Sequence, residues 1–337
     1  MLVFLKTWAP AQRKDTSRCN MISECLQILS NAERDLYYRD RGGTQEMPQT
    51  SVSRVTCFEL FLQLMLFVTS LNSGSNGNCY YVGNEHEAVL IDAGISCRET
   101  EKRMRRLGLS LDKVKAVFIS HEHIDHIKGV EVLSRRYNLP VYITAGTHLH
   151  SRLNLVPILV RSFSAAEPVC IGNLQVHAFT KLHDANDPHS FMVSDNGVNV
   201  GVFTDIGSPC ENLIHYFGRC HAAILEANYD EDMLLNGRYP YYLKKRISGD
   251  KGHLSNAQAL ELFLAYRPPY MSHIFLAHLS KENNSPELAL SVFQQHVGNI
   301  HVTVASRYNE TEVYCIDADG PVNVQAVKSK PVQVSLF

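Results

Sequence analysis

The feature that most restricts the fold of this chain is a histidine-rich turn that directly follows an apolar strand. Residues 114–119 (VKAVFI) are predicted as a buried strand, and residues 120–126 continue as SHEHIDH. The turn offers four candidate metal ligands, which are His121, His123, Asp125 and His126. Imidazole and carboxylate side chains at this density suit zinc, manganese or iron, and they serve two ions better than one. We therefore expect the end of this strand to reach a metal-binding rim.

The composition is that of an ordinary globular protein. The chain has 337 residues, 45% hydrophobic and 20% charged, which is enough for one large domain or two small ones. Its nine cysteines contain no CxxC pair, so we expect reduced thiols and a reducing compartment, most simply the cytoplasm. The net charge of −2 gives no global attraction to nucleic acid, so any polyanion must be bound by a local basic patch.

No segment has the pattern of a membrane anchor. The strongest apolar run, residues 57–68, is interrupted by Glu59 and Gln63 and is too short to span a bilayer. The first ten residues, MLVFLKTWAP, lack the basic region and cleavage site of a signal peptide. We therefore expect no contact with a membrane.

Residues 1–64 differ from the rest of the chain. They mix charges without a sustained period, and only Asn20 to Tyr37 shows helical spacing. Met65 begins a segment that reads like the natural start of a domain. We predict that residues 1–64 are an N-terminal extension of unknown role, either an accessory segment or the product of an over-long gene model, and that residues 65–337 form the functional domain.

Strands and helices alternate from Met65 onward, which predicts one α/β domain with two mixed sheets packed between helical layers. The predicted strands cover residues 66–71, 79–82, 88–91, 114–119, 141–144, 174–179, 191–193, 198–203, 222–225, 273–277, 302–305 and 312–316. The predicted helices cover residues 97–107, 127–137, 256–266 and 286–296.

The pattern H-x-H-x-D-H at residues 121–126 resembles the signature of the metallo-β-lactamase superfamily. Further motifs are similar to its YycJ/WalJ-like group, with PhnP-like phosphodiesterases as relatives. The resemblance implies an αββα sandwich and covers about residues 65–320. Its motifs, in chain order, are SLNSGSNGNCYYV (70–82), LIDAG (90–94), FISHEHIDHIKGV (118–130), LHDANDP (182–188), FTDIG (203–207), LEANYD (225–230), GHLSN (252–256) and HLSKENN (278–284).

The resemblance also implies a ligand set for two divalent ions, zinc or manganese. His121, His123 and His183 would hold the first ion, Asp125, His126 and His278 the second, and Asp205 would bridge both. The local sequence agrees, because Asp205 and His278 each follow an apolar strand-like run. Asp92 is similar to the superfamily's structural aspartate rather than to a ligand.

Asp125 and His253 are the predicted catalytic residues. The resemblance to PhnP-like proteins implies that His253 is a histidine that binds no metal and protonates the leaving group; the alternative is a structural role. Possible substrate contacts are Ser75 and Asn76 in a glycine-rich turn whose backbone N–H groups could hold an anion. Further candidates, just after His278, are Ser280, Lys281 and Asn283.

The resemblance favours hydrolysis of a phosphodiester over that of a β-lactam, because the lactamases lack the bridging aspartate at the position of Asp205. It implies a DNA exonuclease, with DNA as the partner. Two basic runs, residues 103–106 and 244–246, could follow a nucleic-acid backbone, although such runs are usually only solvated faces. A small-molecule phosphodiesterase and a non-catalytic regulatory binding protein remain alternatives.

Overall fold

The first sheet of the protein contains seven strands. A computed structural model describes residues 65–318; the extension predicted at residues 1–64, with its helix from Asn20 to Tyr37, lies outside these residues. In spatial order the sheet runs β14 (Tyr314–Ile316), β1 (Leu66–Asn72), β2 (Cys79–Gly83), β3 (Ala88–Ile91), β4 (Val114–Phe118), β5 (Val141–Tyr142) and β6 (Val160–Arg161). Strands β3 to β6 are parallel to one another, whereas β1 pairs antiparallel with both β2 and β14.

The second sheet also contains seven strands and is mixed. In spatial order it runs β13 (His301–Val304), β12 (His273–Ala277), β11 (Ala222–Glu226), β10 (Val198–Phe203), β9 (His189–Asp195), β8 (Leu174–Thr180) and β7 (Val169–Ile171). Strands β10 to β13 are parallel, and β7 to β10 form an antiparallel meander.

The two sheets pack face to face over an apolar core. Alternate residues of β1 to β4, such as Val68, Val82 and Phe118, meet alternate residues of β8 to β12, such as Phe191 and Phe275. Period-two alternation places these side chains on the inner faces, and the residues between them point outward. The outward residues are also apolar, which requires a second layer on each side.

Helices supply these outer layers. The helices are α1 (Cys97–Arg106), α2 (Ile124–Ile127), α3 (Val130–Tyr137), α4 (Ala145–Ser151), α5 (Glu211–Phe217), α6 (Glu231–Asn236), α7 (Tyr241–Ile247), α8 (Asn256–Tyr266) and α9 (Pro286–Gln294), with 3₁₀ turns at Leu111–Lys113 and Pro157–Leu159. Two further apolar clusters join the outer face of the first sheet to α1 and α3 and the outer face of the second sheet to α5, α8 and α9. The predicted αββα arrangement is confirmed. No helix within residues 65–318 has the length and apolar character that crossing a membrane requires.

One predicted helix is divided in two. The sequence predicts a helix over residues 127–137, but the structure ends α2 at Ile127 and begins α3 at Val130. Gly129 lies between them and donates its N–H to the carbonyl of Ala93 at 2.8 Å. A Cβ atom at Gly129 would lie 1.9 Å from the carbonyl oxygen of Ile95. This close approach of two backbones requires glycine and fixes the histidine-rich turn against the loop after β3.

The suggestion that the basic run at residues 103–106 follows a nucleic-acid backbone is wrong for Arg103. Its side chain is buried and donates to the carbonyl oxygens of Leu71 at 2.7 Å and Tyr308 at 2.9 Å, and to Oδ1 of Asn72 at 2.8 Å. Glu99, one helical turn earlier, accepts from its Nε at 3.0 Å. Arg103 therefore connects α1 to the end of β1 and has no face left for a ligand.

We expect Arg103→Ala to lower the free energy of unfolding by about 2–4 kcal/mol, because it leaves buried carbonyl groups without a donor. Arg105→Ala, on the exposed side of the same helix, is the matched control and should stay within about 0.5 kcal/mol of the original protein. Urea denaturation followed by circular dichroism measures both. Equal effects of the two substitutions would contradict a structural role for Arg103.

Candidate dinuclear metal centre

The site is built where strands of both sheets end. Asp92 follows β3, His183 lies three residues after β8, Asp205 lies two residues after β10, Glu226 ends β11, and His278 follows β12. Strands that run in the same direction present their carboxyl ends at one edge of a sheet, so the topology alone gathers these side chains. Three of them have left-handed backbones, with φ of 60° at Asp92, 56° at Asp205 and 56° at His278. This conformation turns the chain sharply at the end of each strand.

The structure brings all seven predicted ligands together. Ligand atoms that lie within 4.8 Å of one another form overlapping groups, among them His121, His123 and His183, and Asp125, His126 and His278. Asp205 lies between the two groups, since its Oδ2 is 3.1 Å from Nε2 of His126 and its Oδ1 is 3.8 Å from Nε2 of His183. Two further groups overlap with these, one of His121, His126 and Asp205 and one of Asp205, Glu226, His253 and His278. The arrangement is compatible with the division that the resemblance implies, which stays a prediction.

Two of the buried imidazoles are oriented by the loop after β3. Asp92 accepts from Nδ1 of His126 at 2.6 Å and from the hydroxyl of Ser120 at 2.8 Å. Because the Ser120 proton is donated to Asp92, its oxygen can accept from Nδ1 of His121 at 2.9 Å. Both rings therefore direct Nε2 toward the other candidate ligands, where Nδ2 of Asn78 also lies 3.0 Å from Nε2 of His126. Asp92 acts through these rings, as expected of a structural aspartate.

The other two buried imidazoles follow the same rule. His183 donates from Nδ1 to the carbonyl of Gly252 at 3.1 Å, and His278 from Nδ1 to Oε1 of Glu226 at 2.8 Å. The second donor is fixed by charge, because the Glu226 carboxylate can only accept. His123 differs from the other four, since its Nδ1 faces the group, 3.0 Å from Nε2 of His121. Nitrogen atoms of five imidazoles thus converge, and four of these rings already have a hydrogen-bond partner at Nδ1.

The residues fit a pair of cations. Nε2 of His278 and Oδ2 of Asp205 are buried and make no hydrogen bond, although Oδ2 of Asp125 lies 3.6 Å from the former and His126 Nε2 lies 3.1 Å from the latter. Buried polar atoms without partners are rare and call for an explanation. Bound ions would satisfy both atoms.

Electrostatics point in the same direction. Burial by itself lowers the pKa of His278, but the carboxylates of Asp205, Asp125 and Glu226 outweigh it and raise that pKa to about 10. Burial lowers the pKa of His183 to about 4. The carboxylates beside His278 therefore favour a positive charge at this end of the strands. In the group of His121, His123 and His183, burial favours neutral imidazole, which is the form in which histidine binds metals.

His253 lies beside both groups, and one of its ring nitrogens lies within 4.8 Å of ligand atoms of Asp205, Glu226 and His278; its assignment as an acid rather than a ligand stays a prediction. Its ring centroid is 5.3 Å from that of His183 and 5.2 Å from that of His278, and its side chain is 20% exposed. Nδ1 of His253 lies 2.8 Å from Oε1 of Glu226. The imidazole is thus held at its inner nitrogen while part of the ring reaches solvent.

Glu226 is a site residue that the sequence prediction missed. Its Oε1 accepts from His253 and His278, and its Oε2 accepts from the N–H groups of Ile206 at 2.7 Å and Leu254 at 3.2 Å. Although burial opposes ionisation, the two histidines lower the pKa of Glu226 to about 2. With four donors around it, this carboxylate orients histidines and has little capacity left for an ion. The sequence feature that could have identified Glu226 is its position at the end of an apolar strand, in the LEANYD motif.

The glycine-rich turn contributes a different residue from those predicted. Ser75 and Asn76 are exposed, and Asn76 donates to the carbonyl of Arg307 at 2.8 Å. Asn78, four residues after Gly74 in the same turn, is buried and donates from Nδ2 to Oδ2 of Asp125 at 3.2 Å. Asn78 therefore borders the second group, whereas Ser75 and Asn76 remain predictions without such a contact.

The three candidates after His278 fall into two kinds. Ser280 is half-buried and Lys281 is exposed, so both are accessible to a substrate at the rim. Asn283 is only 1% exposed, so a substrate at the surface does not reach it. Neither atom of its amide group has a hydrogen-bond partner within the described residues, and we have no physical account of this.

The fold and the site together define a metal-dependent hydrolase of the metallo-β-lactamase type. The family model described as Beta-lactamase superfamily domain matches residues 87–275. The chain is 33% identical over 267 residues to the exodeoxyribonuclease YycJ of Bacillus anthracis. The aligned region covers 78% of this chain and 99% of that protein. The chain belongs to the β-lactamase superfamily.

Two further comparisons agree. The exodeoxyribonuclease WalJ of Streptococcus pneumoniae is 31% identical over 224 residues, which covers 65% of this chain and 83% of that protein. The crystal structure of the metallo-β-lactamase fold protein YhfI from Bacillus subtilis matches with a TM-score of 0.57 at 17% identity, over 74% of this chain and 99% of that one. At this identity the match to YhfI demonstrates the fold alone.

We expect His278→Ala to reduce the bound metal from about two ions per chain to about one, because one ion loses a buried imidazole ligand. His253→Ala should retain both ions. Elemental analysis of the purified proteins by mass spectrometry measures the content, with exposed His86→Ala as the control. Loss of an ion from His253→Ala would show that His253 is a ligand and not an acid.

Proposed function

We propose that the protein is a dinuclear metal-dependent phosphodiesterase that degrades DNA from its ends. The observation that carries the proposal is the position of Asp205 between two complete ligand groups, each with three further side chains. A shared carboxylate suits a pair of ions that act on one phosphoryl group. The choice of DNA is supported by the two exodeoxyribonucleases that the chain resembles over most of its length.

His121, His123 and His183 would hold one ion, Asp125, His126 and His278 the other, and Asp205 both. When bound, the ions supply a hydroxide nucleophile at neutral pH and neutralise charge on the phosphoryl oxygens. Zinc and manganese both suit this ligand set.

The chain itself supplies the proton for the leaving oxygen. His253 donates from Nδ1 to the ionised Glu226, so this carboxylate directs the ring and leaves Nε2 for the substrate. The proton that can move is the one on Nε2 of His253. Its transfer to the departing sugar oxygen avoids a poorly stabilised alkoxide. Glu226 also holds His278, so one carboxylate aligns the acid with a ligand of the second group.

We expect His253→Ala to lower kcat on a phosphodiester by about 100- to 10,000-fold, since the leaving oxygen loses its acid. Glu226→Gln should lower it by about 10- to 100-fold, because an amide orients the two histidine rings less well than a carboxylate that only accepts. Steady-state rates on bis-p-nitrophenyl phosphate and on DNA provide the measurement, with His86→Ala as control. A smaller loss on bis-p-nitrophenyl phosphate is expected, because its leaving group needs less protonation. Undiminished turnover of DNA by His253→Ala would contradict the assignment.

The substrate class is tested with the manganese-loaded and zinc-loaded protein. We expect end-labelled DNA to be shortened progressively, and bis-p-nitrophenyl phosphate to be hydrolysed more slowly, because it lacks the contacts of a strand. Gel analysis of products over time distinguishes digestion from an end from internal cutting. Intact DNA beside a hydrolysed small diester would favour the small-molecule phosphodiesterase. Inertness toward both, with two ions bound, would favour the non-catalytic binding protein.

A reducing compartment is consistent with the thiols. All six cysteines within residues 65–318 are free, and three of them are buried: Cys79, Cys97 and Cys220. Disulfides form and persist in oxidising compartments and are rare in the cytosol. We therefore propose that the protein works in the cytoplasm, where chromosomal DNA is accessible to a bacterial type of exonuclease.

A further inference from the structure

The segment between Glu226 and His253 carries a surface that the candidate centre does not use. Helices α6 and α7 lie in this segment, and the end of α7 is fastened to the site. The N–H of His253 donates to the carbonyl of Ile247 at 2.8 Å, and Arg246 forms an ion pair with Asp184, the residue after His183. One end of α7 therefore lies beside the first ligand group.

Two tyrosines at the start of α7 are almost entirely in solvent. Tyr241 is 79% exposed and Tyr242 is 74% exposed, more than any other aromatic side chain of residues 65–318. Neither ring stacks on another ring in this part of the chain. Large aromatic side chains are usually at least half covered in a folded protein, and adjacent exposed ones commonly mark a site of contact.

Cationic side chains accompany these rings on the same helix. Lys245 and Arg246 are exposed and lie four residues after Tyr241 and Tyr242, which places each cation one turn from a ring. Lys244 differs, because its ammonium group donates to the carbonyl of Leu235 at 2.7 Å. Helix α7 itself contains no acidic residue; the acidic residues of the segment are Asp230, Glu231 and Asp232 at the start of α6 and Asp250 after the end of α7. The exposed surface of α7 is therefore aromatic and basic.

We infer that α7 binds a single-stranded end of DNA, with bases stacked on Tyr241 and Tyr242 and phosphates near Lys245 and Arg246. The inference rests on the proposed nuclease function and adds the form of DNA and its path. Only unpaired bases offer free faces to an aromatic ring, and a basic groove with aromatic rings is the usual platform for a single strand. A helix of seven residues is about 10 Å long, which gives room for about two stacked bases.

The ion pair between Arg246 and Asp184 indicates the direction in which a DNA strand would run along α7. Arg246 contacts Asp184 next to His183, whereas Tyr242 lies one turn earlier on α7. A strand whose terminal phosphodiester lies at the ligand groups would thus pass Arg246 first and reach the tyrosines with its next bases. A second copy of the chain is a less suitable occupant, because the cations would face their own like charges.

The test measures the affinity of the metal-loaded full chain for fluorescein-labelled oligothymidylate. Phosphorothioate linkages keep the backbone charge and resist hydrolysis, so binding is separated from turnover. We expect Tyr241→Ala and Tyr242→Ala each to weaken the Kd about 5- to 100-fold, the loss expected for one stacked base. Tyr242→Phe should restore binding, because stacking does not need the hydroxyl. Lys245→Ala should reduce the slope of log Kd against log salt by about 0.7.

Matched controls identify the cause. Tyr266→Ala, at a residue 43% exposed on α8, should leave the Kd unchanged. An oligonucleotide with abasic internal positions should bind the original protein weakly. Tyr242→Ala should not weaken the affinity for this abasic strand any further. A Kd within twofold of the original for both tyrosine variants would overturn the inference, as would a change in oligomeric state without a change in affinity.

The outcome is distinguishable from a failure of the proposed function. Loss of affinity in the tyrosine variants, beside an original protein that binds DNA and does not shorten it, would support this surface and contradict the nuclease. Digestion of DNA by the original protein, with affinities unaffected by the tyrosine substitutions, would contradict the surface alone.

Discussion

Negative charge gathered at one edge of the sandwich is the constraint on which the rest of the structure depends. Asp92, Asp205 and Glu226 are buried there and Asp125 is half-buried. Carboxylates removed from water are costly unless cations or hydrogen bonds compensate them. The fold compensates Asp92 and Glu226 with hydrogen bonds to histidines and backbone groups, and leaves Asp125 and Asp205 for bound cations. Hydrogen bonding therefore separates two carboxylates that orient histidines from two that we propose as ligands.

Much of the architecture could be predicted because its strands carry their own signals. The bounds of β3, β10, β12 and α8 agree with the prediction, since apolar runs with clear turn residues or a serine cap define them. Helices α4 to α7 were missed. They are short, and their stability comes from packing and from ends fixed by neighbouring loops, which local periodicity does not reveal.

The candidate ligands could be predicted, but the residues that orient them mostly could not. A dense histidine motif is visible in one segment, and the resemblance supplies His183, Asp205 and His278. Glu226 and Asn78 carry no comparable pattern: each matters only because tertiary contacts place it beside His278 or Asp125. Arg103 shows the opposite error, since a basic run was interpreted as surface although one member is buried. Sequence spacing identifies metal-binding chemistry better than it identifies the support around it.

The left-handed turns at Asp92, Asp205 and His278 have a further consequence for engineering. Each such backbone costs roughly 1–2 kcal/mol for a residue with a side chain, and glycine adopts it freely. The functional side chains thus occupy positions where the bare backbone would prefer another residue. At Asp92 the side chain offsets this cost, because its carboxylate accepts from buried Ser120 and His126. At Asp205 the offset is smaller, since Oδ2 makes no hydrogen bond, so Asp205→Gly exchanges the candidate bridging ligand for a relaxed backbone. Thermal tolerance and metal binding are therefore opposed at that corner.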